Sequence, residues 1–270
     1  MTLRVQIRRK AWRIALAGWL IGWFVNTVEN TRLFLAGLET PITEHWLFPE
    51  AMRNPGVALG MFVLALGGGA GFGVADVRVL RGLAVGLVLC ALGLLGHIAS
   101  YNDASYAAAF WSALWLVWWA RRIEDGNVGV ERHAIALGQG IVGLCFLGGV
   151  IGKLTPDYWN GEAFYQLYVV QKPYFPFDWM RANWSDETLR ACSGWFARGV
   201  IVSEGLLATL ILWPPRWALV MTTSAFLGMI GLAGVQLLSV LAPLAGLVLA
   251  GRYLEGKSAD GENAERGAGK

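Results

Sequence analysis

Apolar residues in this chain come in long unbroken blocks, and the polar residues collect between them. Six blocks, at residues 12–28, 57–75, 82–99, 104–120, 134–152 and 195–213, have or approach the length that a helix needs to cross a bilayer, about 20 residues. A seventh block, residues 217–251, runs for 35 residues. That is too long for one ordinary span, and the pattern predicts two spans with a break near Gly231, Gly234 or Gln236. The expected fold is therefore an all-α, polytopic membrane helical bundle of about eight transmembrane helices, with six or seven as the alternative count. The first block lacks a small-residue cleavage site and runs into Glu29-Asn30-Thr31-Arg32, so it is read as a retained span. Residues 1–254 then form the transmembrane domain. Residues 255–270, rich in Gly, Ala and charge, are expected to be a disordered cytoplasmic tail.

Composition supports lipid as the main solvent. The chain is 56% apolar and 15% charged, whereas a soluble domain is about 45–50% apolar and about 25% charged. The 35 glycines and 14 tryptophans fit the same picture, because glycine lets membrane helices approach closely and tryptophan collects at the headgroup level. Gly67/Gly71 and Gly148/Gly152 have the four-residue spacing of such packing. A net charge of +3 gives no reason to expect nucleic acid as a partner. Three cysteines, Cys90, Cys145 and Cys192, form neither a disulfide framework nor a CxxC metal site.

The basic residues set an orientation. With the N-terminus (Arg4, Arg8, Arg9, Lys10, Arg13) in the cytoplasm, eight spans leave only Arg32, Arg53, Lys153, Lys172, Arg181, Arg190 and Arg198 outside, out of 22 Lys and Arg. Both termini are then cytoplasmic, in a membrane of the bacterial inner (plasma) type. The long segments 29–56 and 153–194 lie on the outer face. Both are rich in aromatics and proline (His45-Trp46-Leu47-Phe48-Pro49; Lys172-Pro173-Tyr174-Phe175-Pro176-Phe177-Asp178-Trp179). Segments of this kind lie in the interface plane, where these two would roof a cavity open to the outer leaflet.

Polar groups at membrane depth are costly and are the candidates for chemistry. Lys153 ends the fifth span. Such a lysine either snorkels to the headgroups, favoured by the helix C-terminal dipole, or is held under apolar neighbours, loses proton affinity and serves as a general base. Glu204 falls nine residues into the sixth span and needs a partner, a proton or water. It belongs either to a functional polar network or to a structural contact with another span. His97, near the outer end of the third span and followed by Ser100-Tyr101-Asn102-Asp103, is either an interfacial hydrogen-bonding residue or an acid–base group. No two or three metal ligands occur at helical spacing, so no metal or haem site is expected.

The stretch Phe146-Leu147-Gly148-Gly149-Val150-Ile151-Gly152-Lys153-Leu154, followed by Asp157-Tyr158-Trp159-Asn160-Gly161-Glu162-Ala163-Phe164, resembles the signature of the horizontally transferred transmembrane (HTTM) family. That family includes the vitamin K-dependent gamma-glutamyl carboxylase. There a membrane helix ends in an aromatic-X-(Ala/Gly)-Gly-X-X-Lys-Leu-like sequence and is followed by Asp-Trp-X-X-Gly. Fainter echoes are Asn102-Asp103-Ala104-Ser105-Tyr106, Glu204 and Ser224-Ala225-Phe226. The resemblance implies Lys153 as the base that deprotonates a quinol-like, lipid-soluble substrate at the outer face; Glu204, its acidic echo, and His97, which lies two helical turns from the family's histidine position, are the catalytic partners expected nearby. It further implies Asn102 and Trp159 as substrate-binding residues and a quinone or hydroquinone as the cofactor.

The chain also departs from the carboxylase. It has Ala104 in place of a histidine, Leu227 and Ile230 in place of a late-helix histidine and asparagine, and no large propeptide-binding region. Glutamate carboxylation itself is therefore not expected. The alternative is a non-catalytic membrane subunit that packs a membrane-protein partner. Small DoxX-type components of quinone-linked complexes, whose Gly-X-X-Lys helix end is similar to the glycine-rich run before Lys153, are a variant of either reading.

Overall fold

The structure is a computed structural model that describes residues 2–35, 55–71, 77–95, 103–127 and 129–268. All regular elements among them are helical. In chain order they are α1 (Leu3–Leu35), α2 (Pro55–Gly71), α3 (Val77–Leu95), α4 (Asp103–Arg122), α5 (Val130–Lys153), α6 (Pro156–Trp159), α7 (Glu162–Phe164), α8 (Phe175–Asn183), α9 (Asp186–Ala208), α10 (Pro215–Ala233) and α11 (Leu238–Ala268). The described part of every apolar block is helical apart from Thr209, Trp213 and Gly234. Among the described residues two stretches, Val130–Lys153 and Val235–Lys257, are long and apolar enough to cross a membrane. The break expected in block 217–251 falls at Gly234, where φ is +88° and ψ is 175°. That backbone region is open essentially to glycine alone.

The single domain expected over 1–254 divides into two compact units, Met1–Ile141 with Leu238–Lys270, and Val142–Leu237. The first is organised by α1 lying along α11 and against α4. A Gly-X-X-X-Gly step in α1 makes this possible. A Cβ on Gly18 would stand 2.5 Å from the Ala242 carbonyl, and one on Gly22 would stand 2.5 Å from the Pro243 ring. From the other side, Gly246 would meet the Ala15 carbonyl at 2.9 Å. Close backbone approach thus occurs here. It does not occur at the glycines singled out from spacing: Cβ atoms on Gly67, Gly148 and Gly152 would meet nothing within 4 Å among the described residues.

Five tryptophans pack inside the first unit, away from any headgroup level. Trp12, Trp19, Trp23, Trp115 and Trp119 are fully buried. Space beside glycine and alanine rows lets these rings pack between helices, and a buried indole N–H needs an acceptor. Each of four indoles finds a carbonyl on a neighbouring helix: Trp12 on Leu116, Trp19 on Ala109, Trp115 on Ala134 and Trp119 on Arg8. Arg8, read from sequence as a flanking cation, is itself buried. Its guanidinium donates to Glu131 at 2.8 Å and to the carbonyls of Arg122, Asp125 and Asn127, which fixes the α4–α5 turn.

α11 continues to Ala268, so helix covers residues 255–268 of the tail expected to be disordered. It extends a helix whose costly nucleus is already formed and packed, and its Ala, Glu, Lys and Arg residues offset the poor propensity of Gly256, Gly261 and Gly267.

In the second unit the aromatic segment 153–194 is helical and has its own core. Tyr158, Phe164, Tyr165, Val169, Phe177, Met180 and Leu189 pack with Ala197 and Ile201 of α9. Thr155 caps α6 by accepting the Tyr158 N–H at 3.3 Å, and Pro156 occupies the first helical position, where its missing N–H costs nothing. Gly161 follows with φ +90°, and a Cβ there would fall 2.3 Å from the Gly194 nitrogen. Only glycine allows both that turn and that contact with α9. Ser185 caps α9 through the Thr188 N–H, with Asp186 and Glu187 in the first turn, where negative charge suits the helix dipole.

Candidate functional site

Lys153 and Glu204, 51 residues apart, meet within the second unit. The Lys153 Nζ is 2.9 Å from both Glu204 carboxylate oxygens and 3.4 Å from the Gly149 carbonyl, to which it also donates. Both side chains are largely withdrawn from solvent, at 26% and 11% exposure. The ammonium also sits 5.9 Å from the centroid of the Tyr158 ring. Every N–H of the ammonium therefore has an acceptor, with an aromatic ring close by.

The local sequence explains the convergence. Lys153 lies four residues after Gly149, so its side chain runs back along the same face of α5. A Cβ on Gly149 would stand 3.0 Å from Glu204 Oε2 and 3.4 Å from Lys153 Nζ. Glycine at that position makes the space in which the pair forms. Tyr158 is placed by the Thr155 cap and by the Gly161–Gly194 contact behind it. Burial pushes its phenol well above the ordinary range, with Tyr168 and Glu204 adding to the shift. Tyr158 therefore stays neutral. Sequence reasoning missed both Gly149 and Tyr158. The four-residue offset between Gly149 and Lys153 was the available signal for the first, whereas Tyr158 carried none.

Trp159, expected to bind substrate, is not the residue beside Lys153. It is half exposed, because α6 turns Tyr158 inward and its neighbour outward. Its ring lies 5.8 Å from the Arg198 guanidinium, which is 5.3 Å from the Trp195 ring on its other contact. Arg198 Nε donates to the Trp159 carbonyl at 3.3 Å. His97 and Asn102 lie outside the described residues.

Two further features belong to this unit. Arg190 joins Glu162 at 2.7 Å to Asp186 at 2.9 Å, and stacks on Tyr165, whose hydroxyl donates to Asp186. The Tyr165 hydroxyl, then Arg190, hold the Asp186 carboxyl below its usual range. The Gln166 amide, then Arg190, do the same for Glu162. Between α9 and α10 lies a half-open groove of about 280 Å³, lined by Trp195, Phe196, Gly199, Val200 and Ser203 of α9 and by residues of α10 that include Gly228 and Met229. Neither Lys153 nor Glu204 lines it.

No family model, curated protein or solved structure matches this chain.

Proposed function

We propose that this chain is a polytopic membrane protein of the HTTM type, with about eight spans and both termini in the cytoplasm of a bacterial inner membrane. In this reading its Lys153–Glu204 pair moves a proton of a quinol-like, lipid-soluble hydroxyl compound. The observation that carries the reading is the contact of Lys153 Nζ with both Glu204 oxygens at 2.9 Å. Away from water the ionised pair and its neutral form, amine plus carboxylic acid, differ less in energy than they do in water. Glu204 takes the Lys153 proton, and the freed amine takes the proton of the bound hydroxyl. The products are lysinium beside the substrate oxyanion and a neutral Glu204, so charge and protons balance.

The test is a titration of a naphthohydroquinone, under nitrogen, against the purified protein in mild detergent. Wild type is expected to generate the quinolate absorbance at a pH where free quinol stays protonated. Lys153→Arg keeps a cation opposite Glu204 but cannot release a proton, and is expected to lose the signal without losing fold. Equal signals from the two proteins would sink the reading.

A second reading, a non-catalytic subunit whose Lys153–Glu204 contact is purely structural, draws on the full engagement of the ammonium. It predicts a co-purifying membrane protein and no quinolate from either form.

A further inference from the structure

We propose that the groove between α9 and α10 holds one acyl chain of an anionic phospholipid whose phosphate rests on Arg198. The head of the site is a cation fixed in place and still able to donate. The Arg198 guanidinium lies near the Trp159 and Trp195 rings, at 5.8 and 5.3 Å, and Nε is used on the Trp159 carbonyl. Arginine has five N–H groups. The four on Nη1 and Nη2 meet no acceptor among the described residues, and no carboxylate pairs with this side chain there. A planar fork of this kind, pre-positioned and uncompensated, suits a phosphate.

The tail of the site begins at the same tryptophan. Trp195, 72% exposed, borders both the Arg198 cation and the groove. The groove then follows α9 from Trp195 to Ser203, which at 1.5 Å per residue is roughly 12 Å of length. Its walls are mainly aromatic, aliphatic and glycine, with Ser203 and Ser224 as the two hydroxyls of the lining. The Ser203 hydroxyl is turned back to the Val200 carbonyl at 2.9 Å, so apolar surface dominates the lining. A positive head joined through one residue to an apolar channel is complementary to an anionic amphiphile, and a free anion would leave the channel unused.

Two glycines in the lining give a direct way to close the channel. Cβ atoms on Gly199 and Gly228 would meet nothing within 4 Å, so a leucine at either position enters open space. Gly205 is equally open but does not line the groove, and Gly205→Leu is the control. The full chain, purified in mild detergent, is equilibrated with phosphatidylglycerol or phosphatidylcholine, and retained lipid is counted by mass spectrometry. Wild type and Gly205→Leu are expected to retain phosphatidylglycerol at least about fivefold over phosphatidylcholine. Arg198→Gln should bring the two lipids to parity. Gly199→Leu and Gly228→Leu should lose both lipids, and 10 mM inorganic phosphate, a concentration about four orders above a tight site's need, should not displace phosphatidylglycerol from wild type. The proposal is overturned by equal retention of the two lipids in wild type, by unchanged preference in Arg198→Gln, by retention in both leucine variants, by loss in Gly205→Leu, or by displacement with phosphate alone.

Discussion

At the scale of single residues, the Lys153–Glu204 pair is the place where a substitution separates electrostatics from packing. Each charge is withdrawn from water at 26% and 11% exposure, so removing one leaves the other without its partner. For a fully buried pair that costs about 3–5 kcal/mol, and for an exposed one about 0–1. Screening at the lysine end places this pair between the limits, at about 2 kcal/mol for Lys153→Met or Glu204→Gln. The double variant is expected to be less destabilised than the sum of the two, and a double-mutant cycle on denaturation in detergent reads the difference. Strict additivity would show that the two groups do not act on each other.

The pair was legible in the sequence as two polar groups in apolar surroundings. Its partners were not. Gly149 matters for the atoms it lacks, and Tyr158 matters because α6 turns it inward while Trp159 turns out. Neither fact exists before the helices pack.

At the scale of elements, α7 is tied to the start of α9 by charge. Asp186 and Glu162 have folded-state carboxyls below the ordinary range, through Tyr165 and Arg190 for the first and through Gln166 and Arg190 for the second. A lowered carboxyl contributes stability that is present above its unfolded value, about 4, and is lost as pH falls through the lower folded value. The Tyr165 phenol is raised by its hydrogen bond to Asp186. Its contribution is therefore present below about 10 and is lost as pH rises through the higher folded value. Hydrogen-exchange protection factors at the first turns of α9, corrected for the intrinsic pH dependence of exchange, should hold a plateau between these limits and fall on both sides. Tyr165→Phe is expected to remove the alkaline limb and to shrink the acid limb, because Asp186 loses the first of its two partners and keeps Arg190, while Glu162 keeps Gln166 and Arg190. An alkaline limb that survives in that variant would place its origin elsewhere.

The helices themselves were readable from block length, and the Gly234 break from the excess length of one block. Their partners were less readable. Gly18 and Gly22 have the same four-residue spacing as Gly148 and Gly152, and only the presence of Gly246 and Pro243 opposite makes the first pair a crossing point. The burial of Arg8 was hidden for the same reason, because three of its acceptors are carbonyls of the α4–α5 turn and the fourth, the Glu131 carboxylate, comes within reach only when α1 packs there.

For the whole molecule, the decisive quantity is which helices cross the bilayer, and α5 is the sharpest place to ask. It has 24 residues, about 36 Å at 1.5 Å per residue, against a hydrocarbon core of about 30 Å. A spanning α5 therefore brings its two ends to opposite faces with little to spare. Glu131, Arg132 and His133 lie at one end and Lys153 at the other. In the proposed orientation the arginine-rich α4–α5 turn is cytoplasmic by charge bias, and Lys153 and Asp157 are outside. Gly126 and Asp157 are both exposed, and a Cβ on Gly126 meets nothing within 4 Å. Single cysteines at these positions, in a chain with Cys90, Cys145 and Cys192 changed to serine, report the two sides without disturbing packing. In intact cells a membrane-impermeant maleimide is expected to label Asp157→Cys at once and Gly126→Cys only after permeabilisation. The reverse pattern would invert the orientation and move the candidate site to the cytoplasmic face. Labelling of both before permeabilisation would mean that α5 does not cross the membrane, and the eight-span arrangement would fall with it.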